Sequence, residues 1–87
     1  MTPQEWAASY TLLRAAYPAF FRQFGQVDVQ AWYELLNDLD GADVLVAVKE
    51  IAQANPYPPA IATIRERAKL VRARHGDVGG TGWRPGE

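Results

Sequence analysis

The chain has 87 residues, which supports a single domain. A core of that size supplies about 3–5 kcal/mol of net stability and leaves no room for a deep enzyme pocket. With no cysteine, disulfides and thiolate metal sites are excluded. The net charge of −1 hides a division: residues 1–56 hold three basic and seven acidic side chains (3 − 7 = −4), and residues 57–87 hold six basic and three acidic (6 − 3 = +3). An acidic body therefore carries a basic end, of the kind that approaches an anionic partner.

The first helix is predicted to start at Thr2. Thr2 is a capping residue, Pro3 suits the first helical position, and Glu5 completes a capping box. Trp6, Tyr10, Leu13 and Tyr17 then share one stripe at 100° per residue. Pro18 ends the run, because the residue before a proline is pushed out of the helical region. Residues 18–27 read as a loop or single turn whose Phe20, Phe21 and Phe24 plug the gap between helices, with Gly25 as a break.

A second helix is expected near Asp28 as its cap, with Val29, Trp32, Tyr33, Leu36 and Leu39 on one face. Asp40-Gly41 interrupts that pattern, and Asp40 with Asp43 supplies the cap and first-turn acid of a third helix. Its stripe is Val44, Leu45, Val48, Ile51 and Ala52. Val44-Leu45-Val46 alone reads as a strand, but the longer i, i+3, i+4 pattern favours helix. Asn55-Pro56-Tyr57-Pro58-Pro59 fixes an extended turn.

Pro59 opens the fourth helix, which carries Ile61, Ile64, Ala68 and Val71 and is expected to stop at Gly76, after His75. This stripe is the narrowest, so the loosest packing is expected there. Residues 76–87 hold five of the chain's seven glycines and read as a flexible tail. The expected fold is all-α: a compact bundle of about four helices over residues 1–75, followed by the tail over 76–87.

Nothing in this pattern organises catalysis or metal binding. His75 is the only histidine and sits where a helix C-terminus favours positive charge. Ser9, Thr11 and Thr63 lie within helices, without a positioned base or a strained turn. The pairs Asp38/Asp40 and Asp40/Asp43 lack the alternating oxygen ligands of a calcium loop. Gly76-Asp77-Val78-Gly79-Gly80-Thr81-Gly82 lacks both the Gly-Lys-Ser/Thr ending and the flanking elements of a phosphate loop. No enzyme activity, cofactor or metal is expected. Trp6, Tyr10, Tyr17, Trp32 and Tyr33 lie on apolar stripes and read as core rather than as base-stacking platforms.

The basic fourth helix is more informative. Arg65, Lys69 and Arg72 flank one side of its stripe, and Arg67 and Arg74 the other, with Leu70 beside them. Trp83 differs from the helix aromatics, because no regular element holds it. Arg67, Leu70, Arg72, Arg74 and Trp83 are the candidate partner-binding residues, since arginine and tryptophan anchor interfaces.

With these segments placed, the chain resembles the small phage replicative helicase loader/inhibitor proteins. Four stretches carry the likeness: Tyr17-Pro18 and the aromatics after it; Ala31-Trp32-Tyr33-Glu34-Leu35-Leu36 with Asp38 and Asp40; the Val44 to Ile51 helix; and Tyr57-Pro58-Pro59-Ala60-Ile61-Ala62-Thr63-Ile64-Arg65-Glu66. Ala60 departs from the family, which has Thr or Ser there. The resemblance implies a folded helical body with a flexible C-terminal grip. It also implies an adaptor that binds a hexameric DnaB-type replicative helicase, inhibits it or loads it at a phage origin, and cooperates with an origin-binding initiator protein. Such an adaptor would be a monomer in the cytoplasm of the bacterial host, with no membrane contact.

Two rivals remain open at this point. One is a small DNA-binding module using the basic fourth helix. The other is a self-associating structural protein.

Overall fold

The capping signals at the N-terminus translate directly into geometry in the computed structural model, which describes residues 1–80 and the side chains of residues 1–74. Helix α1 spans Pro3–Ala16. The Thr2 hydroxyl accepts from the Glu5 N–H at 3.2 Å, and the Glu5 carboxylate accepts from the Thr2 N–H at 2.8 Å. Pro18 ends α1 and opens α2, a single turn over Pro18–Phe21. Helix α3 is Gln26–Leu36, α4 is Gly41–Ala54 and α5 is Ile61–Gly80. The fold is all-helical, with no strand among the described residues.

Helix α4 is the hub. It packs against α1 on one side and α5 on the other, while α3 lies across α1 and α5. Its inner stripe of Val44, Ala47, Val48 and Ile51 is buried. Facing it are Trp6, Leu13 and Tyr17 of α1 with its C-cap, and Ile64, Ala68 and Val71 of α5, all buried. The narrow stripe on α5 does not pack loosely: three of its four residues, Ile64, Ala68 and Val71, are at most 1% exposed, and Ile61 at its start is half-buried.

The aromatic connector acts as a plug. Phe21 is fully buried, with its ring edge-to-face to Phe20, Tyr10 and Trp32 at centroid separations of 4.9, 6.0 and 5.5 Å. Such pairs add about 0.5–1.5 kcal/mol beyond area burial. Polar tips on the apolar stripes find backbone acceptors. Trp6 Nε1 donates to the Val29 carbonyl at 3.2 Å, and the Tyr33 hydroxyl to the Met1 carbonyl at 2.8 Å. The Tyr17 hydroxyl donates to the Asn55 carbonyl at 2.6 Å, tying the end of α1 to the end of α4. Burial also raises the Tyr17 pKa. These rings are core, as their spacing predicts.

Three local expectations need correction. Asp28 is not the α3 cap. Gly25 holds that position, and the Asp28 carboxylate reaches back from the first turn to accept the Gly25 N–H at 2.9 Å. Pro59 is buried in the connector and does not start α5. The Ala60 carbonyl accepts the first helical N–H groups, from Thr63 and Ile64. The backbone stays helical through Gly80, so Gly76 does not stop α5. A glycine in that position costs only about 1 kcal/mol relative to alanine, which an established helix tolerates. The remainder of the expected tail, residues 81–87, lies outside the described residues.

Asp40 does cap α4, accepting from the N–H groups of Ala42 at 2.8 Å and Asp43 at 3.3 Å. Beside it, Gly41 meets the first turn of α1. A Cβ built on Gly41 would collide with the Glu5 side chain, including Glu5 Cβ at 2.7 Å, which no change of rotamer moves. The ordinary benefit of replacing a helical glycine by alanine is therefore reversed here. Gly41→Ala should cost about 1–3 kcal/mol, lowering the melting temperature by about 4 °C or more. A variant that melts with the parent would show that α1 and α4 do not approach this closely. Conversely, Ser9 is fully buried and its hydroxyl has no hydrogen-bond partner. Ser9→Ala removes an unpaired polar group, so the melting temperature should hold or rise. A fall would expose a missing partner.

Candidate functional site

The basic face of α5 turns inward on the acidic residues of α4 and of the link between α3 and α4. Along one flank, Arg65 forms a two-pronged pair with Asp38, with Nη1–Oδ1 at 2.7 Å and Nη2–Oδ2 at 2.8 Å. The same Nη1 donates to the Leu35 carbonyl at 2.8 Å. Arg72, two turns on, reaches Asp40 at 3.2 Å and Asp43 at 2.9 Å. Along the other flank, Arg74 and Arg67 converge on Glu50, at 2.7 and 3.5 Å. The spacing of seven residues within each flank follows from two helical turns. The packing of α5 against α4 brings each arginine to its carboxylate.

The carboxylates register this pairing. The Arg65 hydrogen bonds hold the Asp38 carboxyl at about 2, against an ordinary value of 3.8. Asp38 in turn raises the Arg65 guanidinium. Glu50 is lowered chiefly by the hydrogen bond from Arg74. Asp40 is lowered chiefly by the two backbone N–H groups it caps, with Arg72 adding to the effect. Asp40 thus joins two tasks, holding the start of α4 and receiving α5.

Four of the five candidate partner-binding residues can be placed on this edge. Arg67, Arg72 and Arg74 are partly exposed, with each guanidinium engaged by a carboxylate of the same chain. Leu70 is 55% exposed and projects beyond the Arg67–Arg74 flank. Trp83 lies outside the described residues. Among the described residues no group of three or more His, Asp or Glu side chains is disposed to hold a metal. No helix there is long and apolar enough to cross a membrane. The ion pairs are the part that sequence reading missed. They join residues 17–32 positions apart, and residue spacing along a single helix carries no trace of them.

A family model for the N-terminal domain of the phage SPP1 helicase loader/inhibitor matches residues 1–65. The match ends at Arg65, so Arg67, Leu70, Arg72, Arg74 and Trp83 all lie beyond it. No curated protein and no solved structure matches the chain.

The Arg65–Asp38 pair yields a pH prediction. Because the Asp38 pKa is depressed on folding, its contribution is complete above the ordinary value of 3.8 and is lost as pH falls from there toward 2. Asp38→Asn should melt below the parent at neutral pH. Its melting temperature should fall less steeply across that acid window, and the two curves should converge near pH 2. Thermal denaturation by circular dichroism at low salt reads this. Parallel curves would mean that the pair is not formed in solution.

Proposed function

The chain belongs to the phage helicase loader/inhibitor family, and from that premise we propose that it is an adaptor for a hexameric DnaB-type replicative helicase. It would bind the hexamer, hold it inactive or deliver it to an origin complex with an initiator protein, and perform no chemistry of its own. The observation that carries this reading is the family match across residues 1–65, which takes in the whole body from α1 to the start of α5.

The geometry adds support in two ways. First, α5 continues well past that body as a helix. It presents an exposed leucine bordered by arginine side chains, a composition suited to a protein interface. We assign the contact to Arg67, Leu70, Arg72 and Arg74, with Trp83 as a further anchor. Second, the arginines weigh against the DNA-binding alternative. A nucleic-acid surface needs cations free to replace the counterions of phosphates. Here Arg65, Arg67, Arg72 and Arg74 each face a carboxylate, so phosphate would have to displace Asp38, Asp40, Asp43 or Glu50.

The test is direct mixing of the purified chain with the host's replicative helicase, with ATP, with ADP and without nucleotide. A complex that survives gel filtration at micromolar concentration is expected in at least one state. Leu70→Asp should weaken it about tenfold or more, as loss of an interface anchor does, while leaving the melting temperature within about 4 °C because Leu70 is exposed. Failure to co-elute in every nucleotide state would remove the helicase reading. Tight, salt-sensitive binding to DNA without helicase would replace it with the DNA-binding alternative.

A further inference from the structure

Helix α3 has a second face that the fold does not use. Val29, Trp32, Tyr33 and Leu36 turn toward the core. On the opposite side Val27, Ala31 and Leu35 recur every four residues, and at 100° per residue they form one apolar stripe about 12 Å long. Val27 is 81% exposed and Leu35 is 55% exposed, two of the largest apolar exposures among the described residues. A shallow depression lined by Gln26, Val27, Gln30 and Ala31 runs beside the stripe.

The charge carried by α3 itself has one sign, and the cation set beside it, Arg65 at the Leu35 carbonyl, is committed to Asp38. Between Arg22 and Lys49 the sequence holds Asp28, Glu34, Asp38, Asp40 and Asp43, with no lysine or arginine. Arg65 occupies Asp38, and Arg72 occupies Asp40 and Asp43. Asp28 and Glu34 are left on either flank of the stripe. They receive only the Gly25 N–H and the Gln30 side-chain amide, and form no ion pair among the described residues.

We propose that this face of α3 is a docking surface, and that its occupant is a cationic amphipathic helix of a protein partner. The stripe offers apolar contacts over two helical turns, the length that an i, i+4, i+7 set of anchors covers. Small Ala31 between two larger side chains leaves the hollow into which a ridge of such a helix packs. The flanking carboxylates select lysine or arginine at the edges of the incoming helix. They repel phosphate, which excludes nucleic acid and anionic lipid as occupants of the same face. This surface is separate from the Leu70 edge and does not rest on the helicase reading. The two are distinguishable because one lies on α3, within the family match, and the other on α5, beyond it.

The experiment uses the full chain, labelled with nitrogen-15, and two synthetic helix-forming peptides. Both carry leucines at i, i+4 and i+7; one has lysines on its flanks and the other has glutamates. The lysine peptide should shift resonances of Gln26–Leu36, and the glutamate peptide should not. The doubly substituted Val27→Ser, Leu35→Ser chain should bind the lysine peptide at least about tenfold more weakly, the size of effect seen when buried anchors are removed. Glu34→Lys should weaken it as well. Since all three side chains are exposed, the folded spectrum of each variant serves as the control. No shifts at about millimolar peptide, a weak affinity by any measure, would overturn the proposal. So would shifts mapping to other helices, equal response to both peptides, or indifference to the α3 substitutions.

Discussion

The seam between α4 and α5 joins two kinds of interaction, and their magnitudes assign them different work. Its centre is apolar: Ile64, Ala68 and Val71 are sealed against the inner stripe of α4. Burying side chains of the Ile and Val class stabilises by about 1.5–3 kcal/mol each. Its edges are ionic, with Arg65 and Arg72 on one flank and Arg67 and Arg74 on the other. Exposed pairs of this kind contribute about 0–1 kcal/mol each. The greasy centre therefore supplies the attachment of α5. The ionic edges contribute something the centre lacks, because three small or branched residues would tolerate a rotated or slipped helix. Carboxylates on both sides fix the rotation of α5 about its axis and its register along α4.

The same arrangement explains why the charge division along the chain is not a division in space. The acidic residues 38–50 and the basic residues 65–74 are separated in sequence but interleaved in the fold. At the start of α4, on the side facing α1, Gly41 and Glu5 show a purely steric counterpart. There the approach of α1 is close enough that a single carbon would be too many. At the opposite end of α4, Tyr17 ties α1 to the α4 C-cap through the Asn55 carbonyl. Helix α4 is thus held along its length by steric fit at its start, burial through its middle and a hydrogen bond at its close.

Most of the body was legible because its elements obey local rules. Thr2, Pro3 and Glu5 announce α1, Pro18 ends it, Asp40 caps α4, and the stripes of the four long helices face inward as their periodicity requires, except that Leu45 of the α4 stripe lies outside the core and Ala47 takes its place. Misreadings occurred where the local signal was absent or shared. Gly25 has no side chain to mark it as a cap, so Asp28 three residues on took the credit. Ala47 is fully buried and so is Ser9, but neither is large or greasy enough to stand out in a hydrophobic pattern. Gly76 carries a stop signal that helix α5 overrides. Pairings such as Arg74 with Glu50 depend on how two distant helices meet, which is tertiary information. The candidate contact residues were legible as a cationic set with a stray leucine. Their engagement with carboxylates was not.

That engagement shapes what the α5 edge can offer a partner. A guanidinium already neutralised at 2.7 Å, as Arg74 is by Glu50, exerts little long-range pull on an anionic surface. A partner carboxylate must compete with Glu50 and gains only the difference between two similar pairs. Leu70 faces no such competition: its exposed surface leaves water on contact, and the gain scales with the area covered. Glu50 complicates the accounting in one useful respect. One of its oxygens has no hydrogen-bond partner, although Arg67 stands at 3.5 Å, so that flank is incompletely satisfied. That oxygen is itself buried, so a donor arriving beside Leu70 meets it only after the side chains over it shift. If the α5 edge is the contact proposed above, recognition there begins with apolar contact and is refined by exchange among the arginines, the reverse of the order that the bare count of basic residues suggests.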